Sequence, residues 1–211
     1  DMGALPQPSS VAAYADNNIK IDGTVSFAAV AWEQQGVEIA DDGIATSEDI
    51  TAMINSSEIM AGIYDGSSWH TAALTDNLVS DMSPVVAANG GRAVVAWRSL
   101  AGSSMTDGDL SYDDVNDAIM YRVYEGGHWS EDYTLYNGAA GNVKGLSAAM
   151  MEDGTAAVAY TLDSKTEHEN PAYGYETVCA LIDGDNDVVT DIRLTNNDSA
   201  DRNPQIAVDS G

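Results

Sequence analysis

The chain has 211 residues, 44% of them hydrophobic, with a mean hydropathy of -0.19, which is enough apolar material for one packed domain and too much for a disordered chain. Its 34 acidic against 8 basic residues give a formal charge of -26, a field that repels nucleic acid and anionic membrane surfaces and attracts cations. No run approaches the roughly 18 apolar residues of a membrane span, and a single cysteine, Cys179, rules out an internal disulfide framework.

In chain order, residues 1–10 (DMGALPQPSS) read as a linker entering the first strand, because two prolines and small polar residues favour extended, unpaired backbone. A first repeat unit over about 11–80 carries FAAVAW, ending at Trp32, and its opening half reads as about nine residues longer than that of its neighbours. In the second unit, about 81–140, PVVAA (84–88) turns at Asn89-Gly90-Gly91 into RAVVAW (92–97). An acidic loop, DAIMYRVY (117–124), a Gly126-Gly127 turn and HWSEDYTLY (128–136) follow. The third unit, about 141–199, repeats the pattern: SAAMM, a turn at Glu152-Asp153-Gly154, TAAVAY, a loop, YETVCALI, an Asp183-Gly184 turn and VVTDIRLT. A partial fourth unit, 200–211, contains NPQIAV, which matches SPVVAA.

The spacing from Trp32 to Trp97 is 65 residues and from Trp97 to Tyr160 is 63, a period that suits one four-stranded propeller blade with a generous loop. The predicted fold class is therefore all-β: a β-propeller segment of four-stranded antiparallel blades, about three blades and the first strand of a fourth. Inner strands such as AVVAW and TAAVAY are small and apolar on both faces, as packing between adjacent blades requires. Trp32, Trp97 and Tyr160, with Trp69 and Trp129, are expected to fill the gaps between blades, and Cys179 to act as a small buried hydrophobe.

Trp129, Ser130 and Leu135, then Ser83, Pro84, Val85, Gly91 and Trp97, and Asn203-Pro204 before Gln205, Ile206 and Ala207, form a phrase of Trp-Ser, Leu, Pro and a Gly hairpin. That phrase resembles the blades of sialidase-like propeller repeats in large secreted or cell-surface bacterial proteins. The resemblance implies an extracellular or cell-surface location. The catalytic signatures of such enzymes are missing: none of Arg92, Arg98, Arg122, Arg193 and Arg202 is followed by Ile-Pro, and no S-x-D-x-G-x-T-W box occurs.

Two acidic constellations stand out. Asp183, Asp185, Asp187 and Asp191 carry carboxylates at positions 1, 3, 5 and 9 of a tight loop, a spacing that resembles the calcium hairpins of integrin-type propellers, with Val188 where that pattern has Gly. Calcium is thus a candidate ion, and the alternative is an acidic hairpin turn whose charges stay solvated. The second constellation is the set of loops joining second and third strands. These bring Asp41, Asp42, Asp107, Asp109, Asp113 and Asp114 toward one face, either as a ligand or cation surface or as solvated loop decoration. His70 and His128 flank tryptophans at turns and are expected on the surface. No catalytic residue is assigned.

The expected role is a non-catalytic extracellular scaffold or recognition module for a glycan or protein, completed by self-association or by further blades. The competing reading is part of a glycoside-acting enzyme with its catalytic residues outside this segment. Adaptation to high salt is a third account of the acidity.

Overall fold

A computed structural model describes residues 15–36, 46, 52, 55–77, 79–101, 116–139, 143–163 and 174–208. The first sheet has the order β1 (Ala15–Gly23), β2 (Ala28–Gln35), β3 (Ser57–Tyr64) and β4 (Trp69–Ala73). The second runs β5 (Ser80–Asn89), β6 (Arg92–Ala101), β7 (Asn116–Glu125) and β8 (His128–Trp129), with β9 (Tyr133–Ala139) also pairing β7. The third is β10 (Val143–Met150), β11 (Ala156–Asp163), β12 (Tyr175–Ile182) and β13 (Val188–Arg193). Every pairing is antiparallel between chain neighbours, apart from the β7–β9 pair, and the three sheets are blades of a β-propeller.

Turn chemistry sets the hairpins. Gly90-Gly91 and Gly126-Gly127 all take positive φ, the conformation a two-residue hairpin demands at both central positions. At the β3–β4 turn Asp65 Oδ1 accepts from the Ser67 and Ser68 amides at 2.8 and 2.9 Å, and Tyr64 packs on Trp69 across the hairpin with centroids 5.5 Å apart. Tyr124 and Trp129 repeat that pair edge to face at 5.3 Å. The last strand of the second blade is split, β8 and β9 separately joining β7, where the sequence reads as one continuous strand.

Two cores lie between the blades. Ala29, Ala31, Ile59, Ile63 and Leu74 of the first blade pack against Val86, Val95 and Trp97 of the second. Val94, Ala96, Ile119, Tyr121 and Val123 on the reverse face of the second blade form the other core with Val158, Tyr160, Val178 and Ile182 of the third. Trp32, Trp97 and Tyr160 are all buried. The alanines of β2, β6 and β11 let sheets approach closely, and Trp32, Trp97 and Tyr160 sit midway along those strands, just past the alanine-rich stretch. Cys179 is half-buried, and burial raises its thiol pKa.

The first unit corrects one reading of the sequence. Its opening half is no longer than the second's, because Trp32 Nε1 donates to Asp16 Oδ1 and Trp97 Nε1 to Asp81 Oδ1, each across 16 residues. Among the described residues β1 begins 17 residues before Trp32, as β5 begins 17 residues before Trp97. In the third blade Val143 replaces the aspartate, and Tyr160, where the others have Trp, donates instead to Asp191 Oδ1 at 3.3 Å.

Candidate ligand pocket

The innermost strands of the three blades share one irregularity. Pairing of β1, β5 and β10 slips between Asn17 and Lys20, between Met82 and Val85, and between Lys144 and Leu146. Inside each slip one residue takes positive φ: Asn18 at 51°, Ser83 at 55° and Gly145 at 64°. Asn203, at 55°, continues the series in the segment after the third blade, which runs beside β10 with the Ile206 amide donating to Ser147 Oγ at 3.1 Å. That segment has no sheet partner among the described residues, so the expected first strand of a fourth blade is not paired into a sheet there. A bulge spends one residue without ladder pairing and bends its strand, so the inner strands curl at the same rim.

At that rim, between the second and third blades, a cavity of about 450 Å³ is lined by Ser83, Arg98, Lys144, Tyr175, Arg202 and Asn203, with Val143, Gly145 and Leu146 completing the wall. Arg98 is held by a fully buried carboxylate: its Nε and Nη2 donate to Asp117 Oδ1 and Oδ2 at 2.7 and 2.6 Å. Asp117 Oδ2 also accepts the Val143 amide at 3.0 Å, so the same carboxylate fixes both the guanidinium and the start of β10. The Arg202 guanidinium carbon lies over the Tyr175 ring, 3.9 Å from its centroid, a cation–π contact in the cavity wall. Lys144 is exposed, and neither it nor Arg202 forms an ion pair among the described residues.

The neighbouring seam, between the first and second blades, is tied by Glu33. Its Oε1 accepts from Asn18 Nδ2 at 2.7 Å and, at close range, from the Ser83 amide, so one carboxylate oxygen joins two bulges. A second repeated network was not read from the sequence. The Asn77 amide donates to Glu58 Oε1 at 3.0 Å and Asn77 Nδ2 to Asp81 Oδ2 at 2.9 Å, while the Asn197 amide donates to Glu176 Oε1 at 3.1 Å and Asn197 Nδ2 to Asp201 Oδ2 at 2.8 Å. The available signal was the shared phrase L-T-x-N-x-x-x-D-x-x-P, in LTDNLVSDMSP and LTNNDSADRNP.

The Asp183 turn lies at the other end of the strands. Asp183 Oδ1 accepts the Asp185 and Asp187 amides at 2.9 and 3.0 Å, Asn186 takes φ 70°, and Asp191 stands in β13 against Tyr160. From the second blade, Arg92 Nη2 donates to the Asp183 carbonyl at 2.5 Å and to Asn186 Oδ1 at 3.0 Å. Tyr121 donates to the Asn186 carbonyl at 2.7 Å, and its hydroxyl pKa is pushed up to about 12, chiefly by burial. Among the described residues no group of three or more His, Cys, Asp or Glu side chains is placed to hold a metal ion. Asp41, Asp42, Asp107, Asp109, Asp113 and Asp114 lie outside the described residues. His70 and His128 are exposed, and among the described residues no helix is long and apolar enough to cross a membrane.

No known protein family matches the sequence, and no curated protein does. Solved structures do match the fold. The sialidase of Trypanosoma rangeli aligns with a TM-score of 0.51 at 10% identity over 86% of this chain and 30% of that one. Its complex with sialic acid gives a TM-score of 0.50 at the same identity and coverage. The Penicillium chrysogenum α-L-arabinanase complexed with arabinobiose gives 0.44 at 14% identity, over 79% of this chain and 45% of that one. The chain thus has a sialidase-like propeller fold and spans 30% of the length of the sialidase structures it matches.

Proposed function

We propose that this propeller segment is a non-catalytic recognition module of an extracellular or cell-surface protein, and that it receives a glycan in the rim pocket between the second and third blades. The observation that carries this reading is the pocket itself: a cavity of about 450 Å³ with an aromatic ring, two guanidinium groups, an amine and two bulge residues converging on it. Pockets with a few convergent polar groups beside an aromatic face suit sugars, whose hydroxyls need donors and acceptors and whose C–H faces stack on rings. The non-catalytic part rests on the sequence, in which no arginine is followed by Ile-Pro and no S-x-D-x-G-x-T-W box occurs. The glycoside-hydrolase names of the matched structures fit a carbohydrate ligand.

An oligosaccharide array probed with the labelled chain tests the reading. Binding that Tyr175→Ala abolishes, with no release of reducing ends on prolonged incubation, is the expected result. Reducing-end release would favour the enzyme reading, and absence of any bound oligosaccharide would remove the glycan.

The third blade also presents an open apolar face. Leu74 in the first blade is 1% exposed beneath the second, whereas Leu194, its counterpart in the third, is 59% exposed. Ile192 beside it is 52% exposed. On this reading a further blade, from the same protein or another copy, covers that face.

A further inference from the structure

We infer that the chemical group seated in the rim pocket is an oxyanion, a carboxylate or sulfate on a soluble ligand, held by Lys144 and Arg202; this deepens, and rests on, the reading of the pocket as the recognition site. Only 8 of the 211 residues are Lys or Arg, yet three of them, Arg98, Lys144 and Arg202, line this one cavity. Asp117 neutralises Arg98, which leaves it a positioning role at the wall. Lys144 and Arg202 have no carboxylate partner among the described residues, and their charge faces the cavity. The cation–π contact with Tyr175 uses no hydrogen-bond acceptor, so the Arg202 guanidinium keeps N–H donors that can form two parallel hydrogen bonds to a planar oxyanion.

The site is also built to bring these groups together. Gly145 sits at φ 64°, and a Cβ there would meet the Asn203 Cα and the Pro204 Cδ at 3.6 Å each, so the bulge of β10 and the segment bearing Arg202 are in close apposition. Lys144 precedes that glycine and Arg202 precedes that asparagine. The two cations therefore approach the cavity from adjacent backbones. A net charge of -26 does not exclude an anion, because at physiological ionic strength fields are screened beyond about 8 Å, and inside the pocket the nearest charges decide.

Side-chain nitrogen and carbon NMR of the whole chain tests this, with sodium acetate and sodium sulfate titrated separately at constant ionic strength in sodium chloride. The expected result is a saturating shift of Arg202 Nε and Lys144 Cε in at least one titration, with Arg122 and Lys20 unmoved; which salt acts tells carboxylate from sulfate. Lys144→Ala, an exposed substitution that leaves the blade intact, should weaken the apparent affinity read at Arg202 by about tenfold. Absence of saturation, or equal shifts at all four side chains, overturns the inference, and so does unchanged affinity in Lys144→Ala. The oligosaccharide array separates the two failures. Neutral sugars bound at a pocket that ignores both anions would sink this inference and leave recognition standing, while an anion response without any bound sugar would do the reverse.

Discussion

Thr75 and Thr195 perform one task in two blades: each hydroxyl oxygen accepts the amide hydrogen of a residue in the third strand, Ile59 at 2.8 Å and Thr177 at 2.9 Å. The carbonyls of those same residues accept the amides of Leu74 and Leu194 at 2.7 and 2.8 Å. The threonine thus extends strand pairing past the point where the outer strand leaves the sheet. Thr75→Val keeps the shape and strands the buried Ile59 amide, so it should lower unfolding free energy by about 1–3 kcal/mol in urea denaturation. An unchanged midpoint would show that the link carries no stability.

Beside it, burial raises the pKa of Glu58 above its ordinary 4.5, and burial likewise raises Asp81, each against hydrogen bonds that lower it. A carboxyl whose folded pKa is raised contributes stability that is fully present below its unfolded pKa and is lost as pH rises through the folded pKa. The difference in unfolding free energy between wild type and Glu58→Gln should therefore shrink as pH rises from 4 upward. A difference that stays flat or grows with pH would contradict the assignment.

Arg92 joins the second blade to the Asp183 turn of the third through a backbone carbonyl and a side-chain amide. Arg92→Ala leaves both acceptors without this donor and should cost about 2–3 kcal/mol, with Arg92→Lys recovering only part, since the ammonium ends one atom short of the Nη2 that makes both bonds. The local signature is faster amide hydrogen exchange at Asp185 and Asp187. If exchange there is unaltered, the guanidinium does not hold the turn.

Gly23 takes φ 136°, and a Cβ on it would sit 2.4 Å from both the Ala28 Cα and the Phe27 carbonyl oxygen. Backbone cannot yield as a flexible side chain does. Gly23→Ala should therefore destabilise by several times the roughly 1 kcal/mol expected of Gly91→Ala, where φ is 92° but the space is open. Equal melting temperatures for the two variants would refute the crowding argument.

Leu74→Ala should cost about 2–5 kcal/mol, and Leu194→Ala under about 0.5 kcal/mol in the isolated monomer. If another blade covers the third blade's face, light scattering should detect association of the wild type that Leu194→Asp abolishes. A strictly monomeric wild type at high concentration would argue against covering by a second copy.

Much of the fold was legible because its determinants are local. Paired glycines at 90–91 and 126–127 specify their own turns, and the alanine-rich runs that lead into Trp32, Trp97 and Tyr160 mark the blade period. The pocket was not legible in the same way. Arg98, Lys144 and Arg202 come from three separate segments, and only the curl of the inner strands brings them to one rim. The bulges were hidden because Asn18, Ser83 and Gly145 share a backbone conformation but no residue type. Acidic spacing drew the eye to Asp183, where the feature that matters in the fold is a guanidinium from another blade.

The seam between the second and third blades is fastened at both rims. Asp117 takes the Val143 amide at the pocket end, and Arg92 takes the Asp183 carbonyl at the other. The seam before it has the same arrangement, with Ser83 bound to Glu33 at one end and the Ala88 amide to Asp22 Oδ2, at 2.8 Å, at the other. Two wedges clamped top and bottom cannot swing apart like the covers of a book, because opening one rim would have to stretch or break the clasp at the other. The mouth of the pocket consequently has a set aperture, and a guest must match that gap rather than prise it wider.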